Sequence, residues 1–349
     1  MHQTHNLNQR MRLFISIFLP ILIYQLANFS ASFVDTTMTG QYDTLHLAGV
    51  SMATSLWIPF FDLLIGIVSA LVPIIGHHLG QGKKEKIASD FYQFIYLSLG
   101  LSLILFALVF VGAPLVLSHL GLEPLVEEVA KNYLCYLALG IIPLLLFSTI
   151  RSLFDALGLT KLSMYLMLLL LPLNGSFNYA LIYGAFGFPE MGGAGAGLGT
   201  SLAYWVLLLI SLLVAVKHPK VRVYELWKIR PLDKKDFIEG IRLGLPIGGT
   251  FFAEVVIFSV VGLVMAKFSS LIIASHQAAM NFSNLMYAFP MSISTSMSII
   301  VSYEIGANRP DDVKKFCKLG RLTALGIAGF TFLFLYIFRD RVAALYLSL

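Results

Sequence analysis

Four ionisable side chains lie within long apolar segments of this 349-residue sequence: Asp35, Asp62, Glu254 and His276. A charged side chain at the centre of a bilayer costs about 2.5–3.5 kcal/mol on insertion scales, so a residue of this kind usually marks a binding or transport site. Carboxylates and imidazoles in such a setting can bind a cation or carry a proton. Cation or proton binding is therefore the first chemistry that the sequence suggests.

Glu254 is the strongest of these candidates. It lies in the middle of the apolar segment Thr250–Ile257, too far from either end of the surrounding run to reach a membrane surface. We predict that Glu254 carries a proton or binds a cation, the alternative being a structural hydrogen bond to a neighbouring helix. Asp35 is nearer the end of its run, where a helix cap or interfacial exposure is the alternative. Asp62 lies at mid-depth, but no second charged residue stands near it in the sequence.

Asn174 and Asn178 are one helical turn apart, so both amides can face one ligand or ion. Hydrogen bonding between helices is an equally ordinary use of such amides. The nearby run Gly192–Thr200 has no Gly-Lys-Ser/Thr ending, so small residues that let helices approach closely explain it better than a phosphate loop. The sequence contains no nucleophile–His–Asp set and no HExxH pair. We therefore predict that the protein is not an enzyme.

The composition indicates that the segments carrying these residues lie in a membrane. Hydrophobic residues make up 58% of the sequence and charged residues 12%, about half the charged fraction of a soluble domain. Crossing a hydrocarbon core of about 30 Å takes about 20 helical residues, whereas barrel strands are about ten alternating residues long. We therefore predict an all-α integral membrane protein. Its nine predicted spans cover residues 12–38, 47–74, 90–117, 131–154, 160–184, 195–216, 238–266, 271–302 and 319–338.

Basic residues divide unequally between the two sides of this bundle. When the loops are assigned alternately, 20 of the 24 Lys and Arg residues fall on one side, which includes the loop 217–237. The positive-inside rule places that side and the N-terminus in the cytoplasm of a bacterial inner membrane. The net charge of +5 then reflects topology rather than a nucleic-acid partner. We interpret 217–237 as a solvated linker beside anionic lipid, with a protein docking site as the alternative.

The first apolar run is longer than a signal core and has no small-residue cleavage site, so we expect it to remain as the first span. The two cysteines do not suggest a disulfide framework. Cys135 falls within the fourth run, whereas Cys317 falls in a basic loop on the opposite side of the predicted topology. Neither cysteine has a metal-ligand partner at a useful spacing.

An internal repeat relates two parts of the chain at a single offset of 226 residues. The offset aligns Pro20 with Pro246 and Gly80 with Gly306, and it superimposes the basic loops that follow the two glycines. Six spans separate the copies, so both have the same orientation, with an axis along the membrane normal. Repeats of this kind place a substrate site between two lobes that rock about it.

The repeat divides the sequence into an N-terminal six-helix lobe at 1–216, a cytoplasmic linker at 217–237 and a C-terminal lobe at 238–349. The second copy ends where the first reaches its outer loop, Gly121–Pro124. We therefore expect the second lobe to contain about three helices, numbers seven to nine, and to lack three.

Several short motifs carry a resemblance to a known family. They are Val34–Gly40, Gly244–Ile247 followed by Glu254, His276–Phe282, Pro172–Asn174, Asn178–Tyr179 and the glycine-rich run to Thr200. Together they resemble the multidrug and toxic compound extrusion (MATE) family, and most closely its NorM-like bacterial branch. The resemblance extends over essentially all 349 residues.

The resemblance implies a two-lobed, parallel, inverted-V bundle that expels cationic drugs or toxic compounds in exchange for Na⁺ or H⁺ by alternating access. The implied partners are small cationic organic substrates and membrane lipid, for a monomer that needs no cofactor besides the coupling ion. The implied cation or proton site contains Asp35, Asn174, Asn178, Thr200 and Glu254, and Na⁺ would bind at Asp35, Asn174 and Asn178. The implied substrate cavity contains Ser55, Asp62, His276, Gln277 and Asn281.

One departure from the family bears on function. Family members bring a further carboxylate from a tenth span beside the seventh-span Glu, and this sequence has no such span. We therefore expect an incomplete second-lobe cation site, and a non-transporting truncated remnant or a subunit of a larger assembly is one alternative. The other is a lipid-linked oligosaccharide flippase of a related fold, with a cationic cavity. Acidic groups within the spans favour export of cations over the flippase.

Overall fold

The computed structural model describes the backbone of Thr4 and of residues 6–265 and 270–347, and the side chains of Thr4 and of residues 6–258, 261 and 283–338. This part of the chain contains helices and no strand, which confirms the predicted all-α class. Its thirteen α-helices are α1 (Leu7–Tyr42), α2 (Thr44–Ser69), α3 (Leu71–Gly80), α4 (Lys84–Ala107), α5 (Ala113–His119), α6 (Pro124–Ala138), α7 (Ile141–Ala156), α8 (Thr160–Ile182), α9 (Gly193–Lys217), α10 (Pro219–Arg222), α11 (Lys234–Met265), α12 (Ser270–Gly306) and α13 (Pro310–Leu347).

Eight helical segments among the described residues are long and apolar enough to cross a membrane. Helices α2 and α3 continue each other in one such segment, and α4 and α5 do so through the π-helical turn Leu108–Gly112. Helices α6 and α7 bend by 49° at a short break, and the number of spans is nine if they form one broken span. The nine apolar runs of the sequence each fall on one of these segments.

Short acidic caps mark the beginning of two spans. The Asp233 carboxylate accepts hydrogen bonds from the backbone N–H groups of Lys235 at 2.8 Å and Asp236 at 3.3 Å. These donors lower the pKa of Asp233 and satisfy N–H groups that the first turn of α11 leaves free. Asp43 is the N-terminal cap of α2, where its carboxylate accepts a hydrogen bond from the backbone N–H group of Leu45 at 2.7 Å.

The centre of the first part of the chain is formed by helices α1 to α9. Helix α8 packs between α1 and α9, and α6 lies against both α2 and α9. Phe147 and Phe154 of α7 are fully buried in this core. The Asp155 carboxylate is also buried here, and it accepts a hydrogen bond from the Tyr24 hydroxyl at 3.3 Å. Arg151 lies 5.2 Å over the Tyr24 ring, so its charge offsets that of the buried carboxylate.

Small residues allow α11 to pack closely along α2. A Cβ atom added at Gly248 would lie 2.4 Å from the backbone oxygen of Leu63, and one at Gly66 would lie 2.6 Å from the Cα atom of Gly248. The rings of Phe60 and Phe252 meet beside this contact with their centroids 5.9 Å apart. The backbones of the two helices therefore approach to a distance that no larger residue would allow.

The contact between α3 and α12 follows the 226-residue repeat. A Cβ atom at Gly80 would lie 2.2 Å from the backbone oxygen of Tyr303, and one at Gly306 would lie 2.0 Å from the backbone oxygen of His77. The offset relates position 77 to 303 and position 80 to 306, so the two contacts are equivalents of each other. Such reciprocity is the property of a two-fold interface, here within one chain. It supports the predicted parallel repeat.

Ion pairs join the two repeats at the end of the bundle that carries most of the basic residues, called here the basic end. Arg10 Nη2 lies 3.2 Å from Asp312 Oδ1 and connects α1 with α13. Lys86 Nζ lies 2.6 Å from Asp236 Oδ2 and connects α4 with α11. Cys135 on α6 and Cys317 are free thiols, and Cys317 lies on α13 rather than in the predicted loop. The lobe boundaries at 216 and 238 and the six-plus-three helix count stay predictions.

Candidate functional site

Three helices bring together four of the predicted site residues. Asp35 lies on α1, Asn174 and Asn178 lie one turn apart on α8, and Thr200 lies in the second turn of α9. Because α8 packs between α1 and α9, the two amides stand between the carboxylate and the hydroxyl. We call these four residues the Asp35 cluster.

Hydrogen bonds connect all four members of the Asp35 cluster. The Asn178 amide donates to Asp35 Oδ1, and the same nitrogen lies 3.1 Å from Asn174 Oδ1. Asn174 Nδ2 donates to Thr200 Oγ1 at 3.0 Å, and that hydroxyl lies 3.5 Å from Asp35 Oδ2. The structure thus unites the carboxylate and the amides that the sequence singled out separately, while their role in ion binding stays a prediction.

The charge of the Asp35 cluster is uncompensated within the described part of the chain. Asp35 forms no ion pair there, and its hydrogen-bond partners are neutral amides and a hydroxyl. Asn174 and Asn178 are buried, and Asn178 Oδ1 is a buried acceptor without a hydrogen-bond partner. A carboxylate beside a hydroxyl and two amides, without a cationic partner, can bind a hard monovalent cation such as Na⁺, and the same carboxylate can take up a proton.

The glycine-rich start of α9 sets the spacing of this cluster. A Cβ atom at Gly199 would lie 2.2 Å from Asn178 Oδ1, and one at Gly195 would lie 2.6 Å from the backbone oxygen of Leu181. A Cβ atom at Gly197 would meet α6 in the same way. These distances confirm that the run serves close helix packing.

Two tyrosines near Asp35 escaped the sequence analysis. Tyr133 on α6 and Tyr204 on α9 both lie close enough to Asp35 for electrostatic interaction. Tyr204 follows Thr200 by four residues and therefore shares its helix face, a signal that the sequence does contain. Tyr133 carries no such signal, because its proximity depends on how α6 packs against α9.

Glu254 lies on an open face of α11. A shallow concavity, largely open to its surroundings, runs along this face. Its lining residues recur at helical spacing and all belong to α11: Pro246, Gly249, Thr250, Ala253, Glu254, Ile257 and Phe258. These lining residues are mainly apolar, and Glu254 is the one ionisable group among them. A carboxylate in an apolar hollow suits a cationic organic molecule.

Tyr287 and Asp62 complete a second acidic site with Glu254. The Tyr287 hydroxyl donates to Glu254 Oε2 at 2.9 Å and joins α12 to α11. Asp62 on α2 is close enough to both residues for electrostatic interaction. We call these three residues the Glu254 cluster. Asp62 was predicted as a cavity residue, and it stands beside Glu254 without lining the concavity.

The other predicted cavity residues are not united with Glu254 by the described contacts. Ser55 is exposed, and its hydroxyl donates to the Ser51 carbonyl of its own helix at 2.8 Å. The side chains of His276, Gln277 and Asn281 lie outside the described residues, although their backbone belongs to α12. Their assignment to the cavity stays a prediction.

Comparison with known proteins gives a consistent result over the whole chain. The MatE family profile matches residues 20–180 and 246–348. A probable multidrug resistance protein NorM from Streptococcus pneumoniae serotype 4 is 70% identical over 346 residues, which are 99% of this chain and 76% of that protein. A probable multidrug resistance protein NorM from Oceanobacillus iheyensis is 43% identical over 349 residues, which are 100% of this chain and 78% of that protein.

Solved structures share the fold at low sequence identity. A MOP superfamily transporter from Pyrococcus furiosus superimposes with a TM-score of 0.85 at 18% identity, over 99% of this chain and 77% of that one. A multidrug resistance MATE family transporter in an outward-facing conformation gives a TM-score of 0.83 at 18% identity, again over 99% and 77%.

Proposed function

We infer the activity of this protein from one premise: the chain belongs to the MATE family of multidrug efflux transporters, in its NorM-like bacterial branch. It is a multi-pass membrane transporter. We propose that it is a secondary active antiporter, which exports small cationic organic compounds in exchange for Na⁺ or H⁺.

The Asp35 cluster is the observation that carries this proposal. Its single carboxylate is held by neutral donors from α8 and α9, and no cationic side chain of the described chain neutralises it. A cation or a proton that enters the cluster removes this unpaired charge. Binding therefore stabilises the arrangement of α1, α8 and α9 that brings the carboxylate, the two amides and the hydroxyl together. This gives the coupling ion a means of changing helix positions.

The Glu254 cluster supports a cationic substrate. Glu254 and Asp62 carry negative charge beside the concavity on α11, and Tyr287 and Phe258 bring aromatic rings to the same region. Carboxylates and aromatic faces both attract organic cations. We assign drug binding to this cluster, where Glu254 also accepts the coupling ion when the drug has left.

Coupling in this mechanism depends on competition and on two alternative arrangements of the repeats. An ion and a drug cannot occupy the same carboxylate at the same time. Inward movement of the ion therefore releases the drug on the outer side. The reciprocal contact of Gly80 and Gly306 lies at the interface of the two repeats, which would move against each other there. One charge moving inward gains about 2.3 kcal/mol per 100 mV of membrane potential, which can drive export when the drug carries less charge or a gradient contributes.

We further propose the orientation and setting of the chain. The basic end and the N-terminus face the cytoplasm of the bacterial inner membrane, because most Lys and Arg residues lie there. The transporter acts as a monomer with small organic cations as its partners. The acidic character of both clusters argues against the flippase alternative, since a pyrophosphate group requires a cationic cavity.

Ethidium efflux from drug-sensitive cells that express the chain tests this function. Na⁺ concentration and pH are varied separately, and the amount of chain in the membrane is measured by immunoblot. We expect efflux above that of empty-vector cells, and we expect it to depend on one of the two ions. Efflux no faster than in vector cells, with the chain present in the membrane, would refute the antiporter and favour a non-transporting role.

A further inference from the structure

The connection between α9 and α11 exposes large apolar side chains. Val223, Trp227, Ile229 and Leu232 are 61%, 47%, 77% and 53% exposed. Single exposed apolar residues are ordinary on protein surfaces, whereas a continuous apolar patch usually marks a contact with another molecule. Four such residues fall within ten positions, and we call them the apolar patch; a solvated linker does not explain their exposure.

The patch belongs to a segment whose backbone is fixed on α4. The hydroxyls of Tyr92 and Tyr96 donate to the carbonyls of Leu226 and Arg230, both at 2.6 Å. Gln93, on the same part of α4, donates to a third carbonyl of the segment at 3.1 Å. Three bonds from one helix hold this chain segment in place, so its exposed side chains are presented by an ordered backbone.

Burial alternates along the same segment. Val221 and Leu226 are 0% and 7% exposed and pack into the core of the bundle. The neighbouring Val223 and Trp227 remain outside. The segment therefore has two apolar faces, one turned to the protein and one left for a partner that offers an apolar environment.

Basic residues lie before and within this patch in the sequence. Residues 217–232 contain five Lys and Arg residues and one acidic residue, Glu225. Lys217, Lys220 and Arg222 are exposed, whereas Lys228 pairs with Glu225 at 2.7 Å. A partner that covers the patch must therefore combine an apolar interior with negative charge at its surface.

The position of the segment identifies that partner. Residues 217–232 begin where the span α9 ends. They are bound to Tyr92 and Tyr96 of α4, which lie roughly 12–18 Å along the helix axis from its first residue, at a rise of about 1.5 Å per residue. This level is where a membrane-spanning helix meets the headgroups. Tryptophan prefers this interface, and basic residues there attract anionic lipid. We propose that residues 217–232 dock on the bilayer surface and bind its anionic lipid headgroups through Lys217, Lys220 and Arg222.

Fluorescence quenching by brominated lipid tests the proposal independently of transport. The chain carries Trp57, Trp205 and Trp227, so the substitutions Trp57→Phe and Trp205→Phe leave Trp227 as the one reporter. The protein is placed in two bilayers of identical phosphatidylcholine and phosphatidylglycerol content. In one bilayer the bromine atoms are on the anionic lipid, and in the other an equal amount of bromine is on the neutral lipid.

We expect stronger quenching of Trp227 by brominated phosphatidylglycerol than by brominated phosphatidylcholine. The triple variant Lys217→Gln, Lys220→Gln, Arg222→Gln should lose this difference, as should the parent protein at high salt. Trp205, 41% exposed on α9, is the matched control when it is the only tryptophan, and both lipids should quench it equally.

Two results would overturn the proposal. Equal quenching of Trp227 by both lipids would show contact with the bilayer but no preference for anionic headgroups. Absence of quenching by either lipid, with Trp205 quenched normally, would place the patch away from the bilayer and leave a protein as its partner.

Discussion

Among single residues, Asn178 holds a central position in the Asp35 cluster. Its amide nitrogen reaches both Asp35 and Asn174, and its oxygen lies against the backbone of Gly199. The position of one side chain therefore depends on a glycine of the neighbouring helix. A change that leaves every polar group in place can still disturb the cluster.

Gly199→Ala tests this dependence. A methyl group there would lie 2.2 Å from Asn178 Oδ1, so the amide must move away from Asp35. We expect ion affinity to fall about tenfold or more, which corresponds to about 1.4 kcal/mol. The measurement is the stabilisation of the purified chain against thermal unfolding by Na⁺, and by protons, relative to choline. Gly175→Ala on α8 is the matched control, since nothing lies within 4 Å of its Cβ position. Equal responses of the two variants would contradict this geometry.

Glu254→Gln separates charge from hydrogen bonding in the second acidic site. The amide can still accept from Tyr287, but the negative charge is lost, so we expect drug resistance to disappear while the chain still inserts. Tyr287→Phe keeps the charge and should reduce resistance less. Glu128→Gln, an exposed carboxylate on α6, should leave resistance unchanged. Full ethidium resistance in cells with Glu254→Gln would remove Glu254 from the mechanism.

The sequence predicted one of these clusters better than the other, for a physical reason. Polar residues in apolar helices are conspicuous, and the one-turn spacing of Asn174 and Asn178 places both on one face. The Glu254 cluster depends instead on contact between α2 and α11, whose partners lie far apart in the chain. Periodicity within one helix cannot show that Asp62 meets Glu254, or that Tyr287 donates to it.

Among the helices, the contact of α2 with α11 determines whether the second acidic site forms. Close approach at Gly66 and Gly248 brings the backbones together, and this approach is what carries Asp62 towards Glu254. The apolar runs predicted both helices well. Helices α6 and α7 were predicted as one apolar run, because the hydropathy of a sequence does not reveal the 49° bend between them.

Gly248→Ala tests this contact. A methyl group there would lie 2.4 Å from a backbone oxygen of α2, which cannot move without the helix. Such overpacking costs about 1–3 kcal/mol, so the midpoint of thermal unfolding in detergent should fall. Gly249→Ala, with nothing within 4 Å of its Cβ position, should be neutral or gain about 0.5–1 kcal/mol from helix propensity. A midpoint for Gly248→Ala as high as that for Gly249→Ala would show that the helices can separate without loss.

For the whole molecule, the repeat and the distribution of charge together describe the transporter. The reciprocal contact at Gly80 and Gly306 realises the 226-residue offset in three dimensions. The pairs Arg10–Asp312 and Lys86–Asp236 join the repeats at the basic end. If the ion opens this end, these contacts must break in each cycle. The sequence predicted the 226-residue offset, but it did not predict which atoms of the two repeats are in contact.

Cysteine labelling tests the orientation of the molecule. In a background without Cys135 and Cys317, Lys83→Cys lies at the basic end and Phe186→Cys lies on the opposite turn, where Phe186 is 83% exposed. A membrane-impermeant maleimide should label Phe186→Cys in intact cells. It should label Lys83→Cys only after the membrane is permeabilised. The reverse pattern would place the basic end outside and contradict the proposed direction of export.

Gradient-driven ethidium transport by Asp35→Asn in proteoliposomes tests the central claim most directly. The substitution retains the shape of the side chain and removes the one charge of the Asp35 cluster, so neither Na⁺ nor a proton can be bound there with the same strength. We expect the unchanged chain to transport ethidium when a Na⁺ or proton gradient is imposed, and Asp35→Asn to transport no more than protein-free vesicles. Gradient-driven transport by Asp35→Asn at the rate of the unchanged chain would contradict the assignment of the coupling site.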